Sequence, residues 1–153
     1  MTDKPLGEDQ EPGLLVRWGT NYGSLKDKIQ SSLPCETSND RMQLLNIFES
    51  DCLKAMEAVG KDWLVSDFIA LPVELVSRDT NEVVTAWRTV LLGPGQQPIA
   101  FCSKSALTFL DRTSKALRQM PPWDPPVKVR WTIVPCRGGI TYSFHRYPME
   151  ETT

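Results

Sequence analysis

The passage from Pro121 to Ile133 restricts the fold of this chain more than any other. The run Pro121-Pro122-Trp123-Asp124-Pro125-Pro126 can neither continue a helix nor donate to a sheet ladder. The residues after it, Val127-Lys128-Val129-Arg130-Trp131-Thr132-Ile133, alternate strictly between apolar and polar. At a period of two, Val127, Val129, Trp131 and Ile133 share one face of a strand, and Lys128, Arg130 and Thr132 share the other. A half-buried strand that follows an obligatory stop excludes an all-helical fold. It also fixes the end of whatever precedes it: Ser103 can cap a helix over 104–119, with Ala106, Leu107, Leu110 and Leu117 as its apolar stripe. Lys104, Asp111, Arg112, Lys115 and Arg118 then face outward.

Upstream, the same period-two logic predicts a hairpin: Ile69 to Val76, a turn over Ser77–Asn81, then Val83 to Leu92. Pro72 has no N–H for a ladder and marks an edge, a bulge or a bend in the first strand. The loop Gly93-Pro94-Gly95-Gln96-Gln97 returns the chain into a third strand, Pro98 to Cys102. After the alternating strand, Pro135 to Gly139 is expected to turn and Ile140 to Tyr147 to close the sheet. Before all of this, Asp40 and Gln43 have capping-box spacing, and Leu45, Phe48, Cys52, Met56 and Val59 recur at helical spacing until Gly60. An amphipathic helix over about 41–59, packed on the β structure, is the expectation. Residues 1–13, acidic and poor in apolar side chains, are expected to be a mobile tail, 148–153 a frayed end, and 14–39 an extension of open role.

Composition narrows the function classes. Hydrophobic residues make up 41% and charged residues 24% of 153, enough to bury one core without metal or disulfides, so disorder and coiled-coil classes are disfavoured. No apolar run reaches membrane-spanning length, and Met1-Thr2-Asp3-Lys4-Pro5 has no basic or apolar leader character, so no membrane partner and a cytoplasmic location are expected. Cys35, Cys52, Cys102 and Cys136 lack metal-site spacing and read as structural thiols. The single histidine, His145, has no G-x-S-x-G partner and reads as a surface residue, and Gly93, Gly95, Gly138 and Gly139 form no phosphate-cradling motif. Asp62 with Asp67, and Asp79 with Glu82, read as turn residues rather than metal ligands. A non-enzymatic protein with no cofactor and no metal is expected.

Charge gives a positive clue. Residues 1–60 hold six basic and ten acidic side chains, whereas 61–153 hold eleven basic and nine acidic. Within 104–147, Lys104, Arg112, Lys115, Arg118, Lys128, Arg130, Arg137 and Arg146 face only Asp111 and Asp124. A basic face on an acidic protein suits a polyanion, although surface charge also serves solubility alone.

The order of elements over 63–147, β-β-β-α-β-β, resembles the OB-fold, a five-stranded Greek-key barrel; the fold class expected is therefore mainly β with helices (α+β). The stretches V-E-L-V-S-R-D-T-N-E and P-P-W-D-P-P-V-K-V are similar to those of small phage- and plasmid-encoded proteins of single-strand DNA metabolism. The resemblance implies single-strand binding in replication or recombination, across the second and third strands and the loops 77–82 and 135–139. The chemistry required is aromatic faces for stacked bases and cations for phosphates. Candidate stacking residues are Trp87, Phe101 and Tyr142, and candidate phosphate contacts are Arg88, Lys128, Arg130 and Arg137, with Arg146 as a further cation. In strand 83–92, one register turns Trp87 outward between Thr85 and Thr89; the opposite one buries Trp87 and exposes Arg88. Single-stranded DNA is the expected partner and RNA the alternative; protein partners through the acidic ends and self-association stay open. The competing class is a protein–protein adaptor or virion component on the same scaffold.

Overall fold

The computed structural model describes residues 14–17, 29–77, 80–102, 104–137 and 139–149. The expectations for 1–13, for 18–28, for Ser103 as a cap and for 150–153 lie outside these residues. In chain order the elements are β1 (Leu14–Arg17), β2 (Gln30–Ser31), α1 (Ser38–Phe48), β3 (Leu53–Lys54), β4 (Asp62–Val65) and β5 (Asp67–Ser77). Then follow β6 (Val83–Leu92), β7 (Ile99–Phe101), α2 (Ser105–Leu117), β8 (Val127–Cys136) and β9 (Gly139–Arg146).

These strands form two sheets, one ordered β1-β5-β6-β7-β3 with β2 also on β5, the other β4-β8-β9. The meander β5-β6-β7 is antiparallel, in register from Asp67↔Leu92 to Val76↔Val83 and from Thr89↔Phe101 to Leu91↔Ile99. Pro72 falls where its missing N–H costs nothing: β2 takes Ile69 and Ala70, β1 takes Glu74 to Ser77, and Pro72 lies in the gap between these partners. Ser66 is the joint between the sheets. Its N–H reaches Leu92 O at 2.8 Å and its carbonyl accepts from Trp123 N at 2.9 Å, so β4 and β5 are one bent run of chain that feeds both sheets.

Alternation along β5, β6 and β7 loads both faces of the first sheet. Phe68, Ala70, Leu91, Ile99 and Phe101 point toward the second sheet and meet Val65, Val127, Val129 and Trp131 together with Ala106, Phe109 and Leu110 of α2. Ile69, Leu71, Val73, Val90 and Ala100 point the other way, onto Leu44 and Phe48 of α1 and onto Ile29. The chain is thus layered, with α1 outside the first sheet and the second sheet and α2 opposite. Trp131 ties the inner layer together: it is fully buried, edge-on to Phe101 at 5.1 Å, and its indole N–H donates to Ala55 O at 3.0 Å. Trp63 donates likewise to Ala58 O at 2.8 Å, so two indoles pin the turn that leads from β3 to β4.

Four expectations are corrected. The helix expected over 41–59 runs from Ser38 to Phe48, capped by Thr37, whose hydroxyl accepts from Asp40 N at 3.0 Å while Asp40 accepts from Thr37 N at 3.2 Å. It stops early because the following chain is recruited by β7: Leu53 N bonds Pro98 O and Ala55 N bonds Ala100 O, a parallel pairing that outweighs the helical spacing of Cys52, Met56 and Val59. The later helix spans Ser105–Leu117, with Lys104 at the cap position making no side-chain bond and Arg118 left-handed at the end. Pro135 and Cys136, expected in the turn, belong to β8, paired with Ile140 and Gly139. Pro135 is tolerated there because β4 pairs β8 only from Val127 to Arg130, leaving that side of the strand without a neighbour in the sheet among the described residues. Finally, the sheets do not close into a barrel. β7 gives its far side to β3, and its approach to β9 is through rings, Phe101 to Tyr142 at 5.6 Å and to Phe144 at 5.7 Å.

Candidate nucleic-acid interface

The outer face of β4-β8-β9 gathers the exposed cations that the alternating strand predicts. β8 turns Lys128 and Arg130 outward while Val127, Val129 and Trp131 are buried. The ladder then chooses their neighbours: Asp62 of β4 lies opposite Arg130, Leu64 opposite Lys128, and His145 of β9 opposite Arg130 on the other side. Tyr147, one residue past β9, continues that ladder by donating its N–H to Lys128 O at 2.9 Å.

Asp62 is the centre of this face. Its Oδ1 accepts from Arg130 Nε at 2.9 Å and from the Tyr147 hydroxyl at 2.7 Å, while Lys128 Nζ is 3.8 Å from Oδ2. The Tyr147 hydrogen bond, with the two cations, holds the Asp62 carboxyl below the usual carboxylate range despite some desolvation. The same bond raises the Tyr147 phenol. Lys128 Nζ sits 5.0 Å from the Tyr147 ring centroid, and His145 stands edge-on to that ring at 4.9 Å. Cations and aromatic faces therefore interleave on one solvent-facing surface.

β4 is held in place by an amide clamp. Gln96 accepts from Leu64 N at 2.9 Å and donates to Leu64 O at 2.7 Å, completing both bonding groups of a residue on the sheet edge. The loop gets this close only because Gly93 has no side chain: a Cβ there would lie 1.9 Å from Leu64 O.

The remaining sequence-predicted residues separate into distinct environments. Phe101 is fully buried and Tyr142 is 6% exposed, both in the core between the sheets, so the expectation that they stack on bases is corrected. Each occupies an inward position of its strand, and Trp131, Phe144 and each other's rings already use their faces. Trp87 takes the inward register and packs, partly buried, against the inter-sheet cluster on the same strand face as buried Thr89 and Leu91. Arg88 lies on the opposite face with its guanidinium 5.3 Å from the Phe48 ring centroid, where α1 and Ile29 cover the sheet. The face of the second and third meander strands that the resemblance points to is thus occupied by the chain's own helix. Arg137 is exposed at the β8-β9 turn.

Arg146 is half-buried and engaged within the fold. It donates to Thr113 Oγ1 and, at 3.4 Å, to Phe109 O, and it stacks over Phe109 at 4.9 Å, tying α2 to β9. Burial, and then Arg112 nearby, lowers its pKa.

Sequence reasoning passed over Asp62, Tyr147 and His145 as members of one site. The signal was the hairpin register: a turn over Pro135 to Gly139 would pair Val134 with Ile140 and send Tyr147 to the face of Val127 and Val129, whereas the observed pairing Val129↔Arg146 aligns it with Lys128. Among the described residues no group of His, Cys, Asp and Glu is arranged to hold a metal, and no helix is long and apolar enough to cross a membrane. Compared with protein families, with curated proteins and with solved structures, the chain matches none.

Proposed function

We propose that this chain is a non-enzymatic single-stranded DNA-binding protein acting in replication or recombination, with RNA as the alternative strand. Its contact surface is the outer face of β4-β8-β9 continued along the β8-β9 hairpin. The observation that carries this reading is the solvent-facing array of Lys128, Arg130, His145 and Tyr147 on adjacent strands, cations beside aromatic rings. Phosphates need the first kind of group and unpaired bases the second. Arg137 at the hairpin turn extends the cationic track. The element order supports an open OB-type architecture: the bent β4–β5 run stands for a first strand shared between sheets, followed by β6, β7, α2, β8 and β9. In this reading the strand-binding surface lies on the second sheet, away from the face covered by α1, and stacking falls to Tyr147 and His145.

A second reading, a protein–protein adaptor or virion component, draws on Ile133 and Val134. They are 39% and 37% exposed on opposite faces of β8, beyond the reach of β4. Salt separates the two, since phosphate contacts weaken steeply with ionic strength and apolar contacts do not.

The test is fluorescence anisotropy with labelled single-stranded DNA, duplex DNA and single-stranded RNA of equal length at two salt concentrations. Single strands bind more tightly than duplex. Arg130→Ala lowers the slope of log affinity against log salt by about one, and Tyr147→Ala weakens binding by at least about fivefold, the lower end of a stacked base's contribution. Absence of single-strand binding at low salt, or binding indifferent to both substitutions, refutes the proposal.

A further inference from the structure

Three donors of different chemistry, a guanidinium, an ammonium and a phenol, converge on Asp62 from β8 and from the end of β9. Such a donor set suits an anion with several oxygens, and here a carboxylate of the chain itself takes that place. We propose that Asp62 is a built-in competitor for strand phosphate, so that nucleic acid binds this face by exchanging a backbone phosphate for the Asp62 carboxylate. The inference rests on the reading of this face as a strand-binding surface.

Two observations favour exchange over a purely structural ion pair. All three charged groups are open to solvent, with side-chain exposures of 33% for Asp62, 52% for Lys128 and 45% for Arg130, so a phosphate reaches the donors without any unfolding. In addition, β4 does not need the pair to stay on β8. The ladder from Asp62↔Arg130 to Val65↔Val127 and the Gln96 clamp on Leu64 already hold it, and exposed ion pairs add little to such a joint. The effect of Asp62 on the face is larger than its effect on the fold. It cancels one of the two positive charges of Lys128 and Arg130 at the point where a phosphate would dock, and it turns the guanidinium inward to itself.

Exchange makes a prediction opposite in sign to that of a positioning role. Asp62→Asn keeps the shape and one acceptor oxygen but removes the competing charge. With labelled oligothymidylate at low salt, Asp62→Asn should bind roughly three- to tenfold more tightly than the unaltered protein. Its log–log salt slope should be steeper, and the gap should narrow at high salt. Asp62→Ser, which shortens the side chain, should shift affinity in the same direction, and circular dichroism with a thermal midpoint checks that each variant is folded. If folded Asp62→Asn binds equally or more weakly while Arg130→Ala weakens binding, Asp62 positions the cations, and the exchange inference falls while the strand-binding reading stands. If neither the unaltered protein nor Asp62→Asn binds at low salt, the reading of the face falls and the inference with it.

Discussion

Gly93→Ala tests how the candidate face is held. The added Cβ would lie 1.9 Å from Leu64 O, 2.7 Å from Leu64 C and 3.0 Å from Gln96 Nε2. Ordinary carbon contacts sit near about 3.5 Å, so the loop and β4 must part by more than about 1 Å. The Gln96–Leu64 bonds, at 2.9 and 2.7 Å, do not survive such a displacement. Two lost bonds at about 0.5–1.5 kcal/mol each, with overpacking at about 1–3 kcal/mol, give a loss of about 2–6 kcal/mol. That is a large fraction of the roughly 5–15 kcal/mol by which a domain of this kind is stable. Gly95→Ala is the control: its φ is +70° but nothing lies within 4 Å, so its cost is the left-handed backbone alone, about 1–2 kcal/mol. Gln96→Ala should cost about 1–3 kcal/mol, and the double variant with Gly93→Ala should cost less than the sum, because both break the same contact. Urea unfolding followed by tryptophan fluorescence and circular dichroism measures all four. Because Asp62 is two residues before Leu64, Gly93→Ala should also raise the Asp62 titration midpoint toward the ordinary value as β4 moves away from Tyr147 and Arg130. A Gly93→Ala cost below about 1 kcal/mol, or one equal to that of Gly95→Ala, refutes the reasoning.

Trp131→Phe should destabilise by about 2–4 kcal/mol in urea unfolding, since it leaves a cavity between the sheets and removes the 3.0 Å indole hydrogen bond to Ala55 O, which keeps the Ala58 N–H at 3.2 Å. The pH dependence of the Asp62 cluster follows from its two shifted groups. The Asp62 pKa is lowered, first by the Tyr147 hydrogen bond, so its stabilising contribution is present above the unfolded aspartate value and disappears as pH falls through the lower folded midpoint. The Tyr147 pKa is raised, first by its hydrogen bond to Asp62, so its contribution is present at neutral pH and disappears as pH rises through a midpoint above the ordinary phenol value. Carboxyl NMR titration should show Asp62 moving up toward the ordinary value in Tyr147→Phe; an unchanged midpoint would contradict the hydrogen bond as principal cause.

Much of the candidate face is legible in the sequence alone. Lys128 and Arg130 face solvent because strict alternation on one strand leaves no other choice, and Arg137 is exposed because it turns a hairpin. Trp87 and Arg88 are not decidable in that way. Their strand carries apolar residues on both faces, and both faces are covered, one by the second sheet and one by α1. Alternation tells inside from outside only where one side is wet. Phe101 and Tyr142 mislead for a related reason: an aromatic residue on a strand serves a core and a base equally well, and only the partner rings distinguish the two.

Local chemistry is thus sufficient for the period-two strands, the meander, the proline stop and the place of Pro72, because each depends on backbone geometry within a few residues. Long-range pairing decides the rest. Helix α1 ends at Phe48 because β7 claims Leu53 and Lys54, β8 extends to Cys136 because the β9 ladder extends, and the barrel stays open because β7 is paired with β3. Asp62 becomes the centre of a site only when β4 is laid against β8 and Tyr147 is brought beside both. Arg130 and Tyr147 are 68 and 85 positions from it in sequence, a separation across which no local propensity acts.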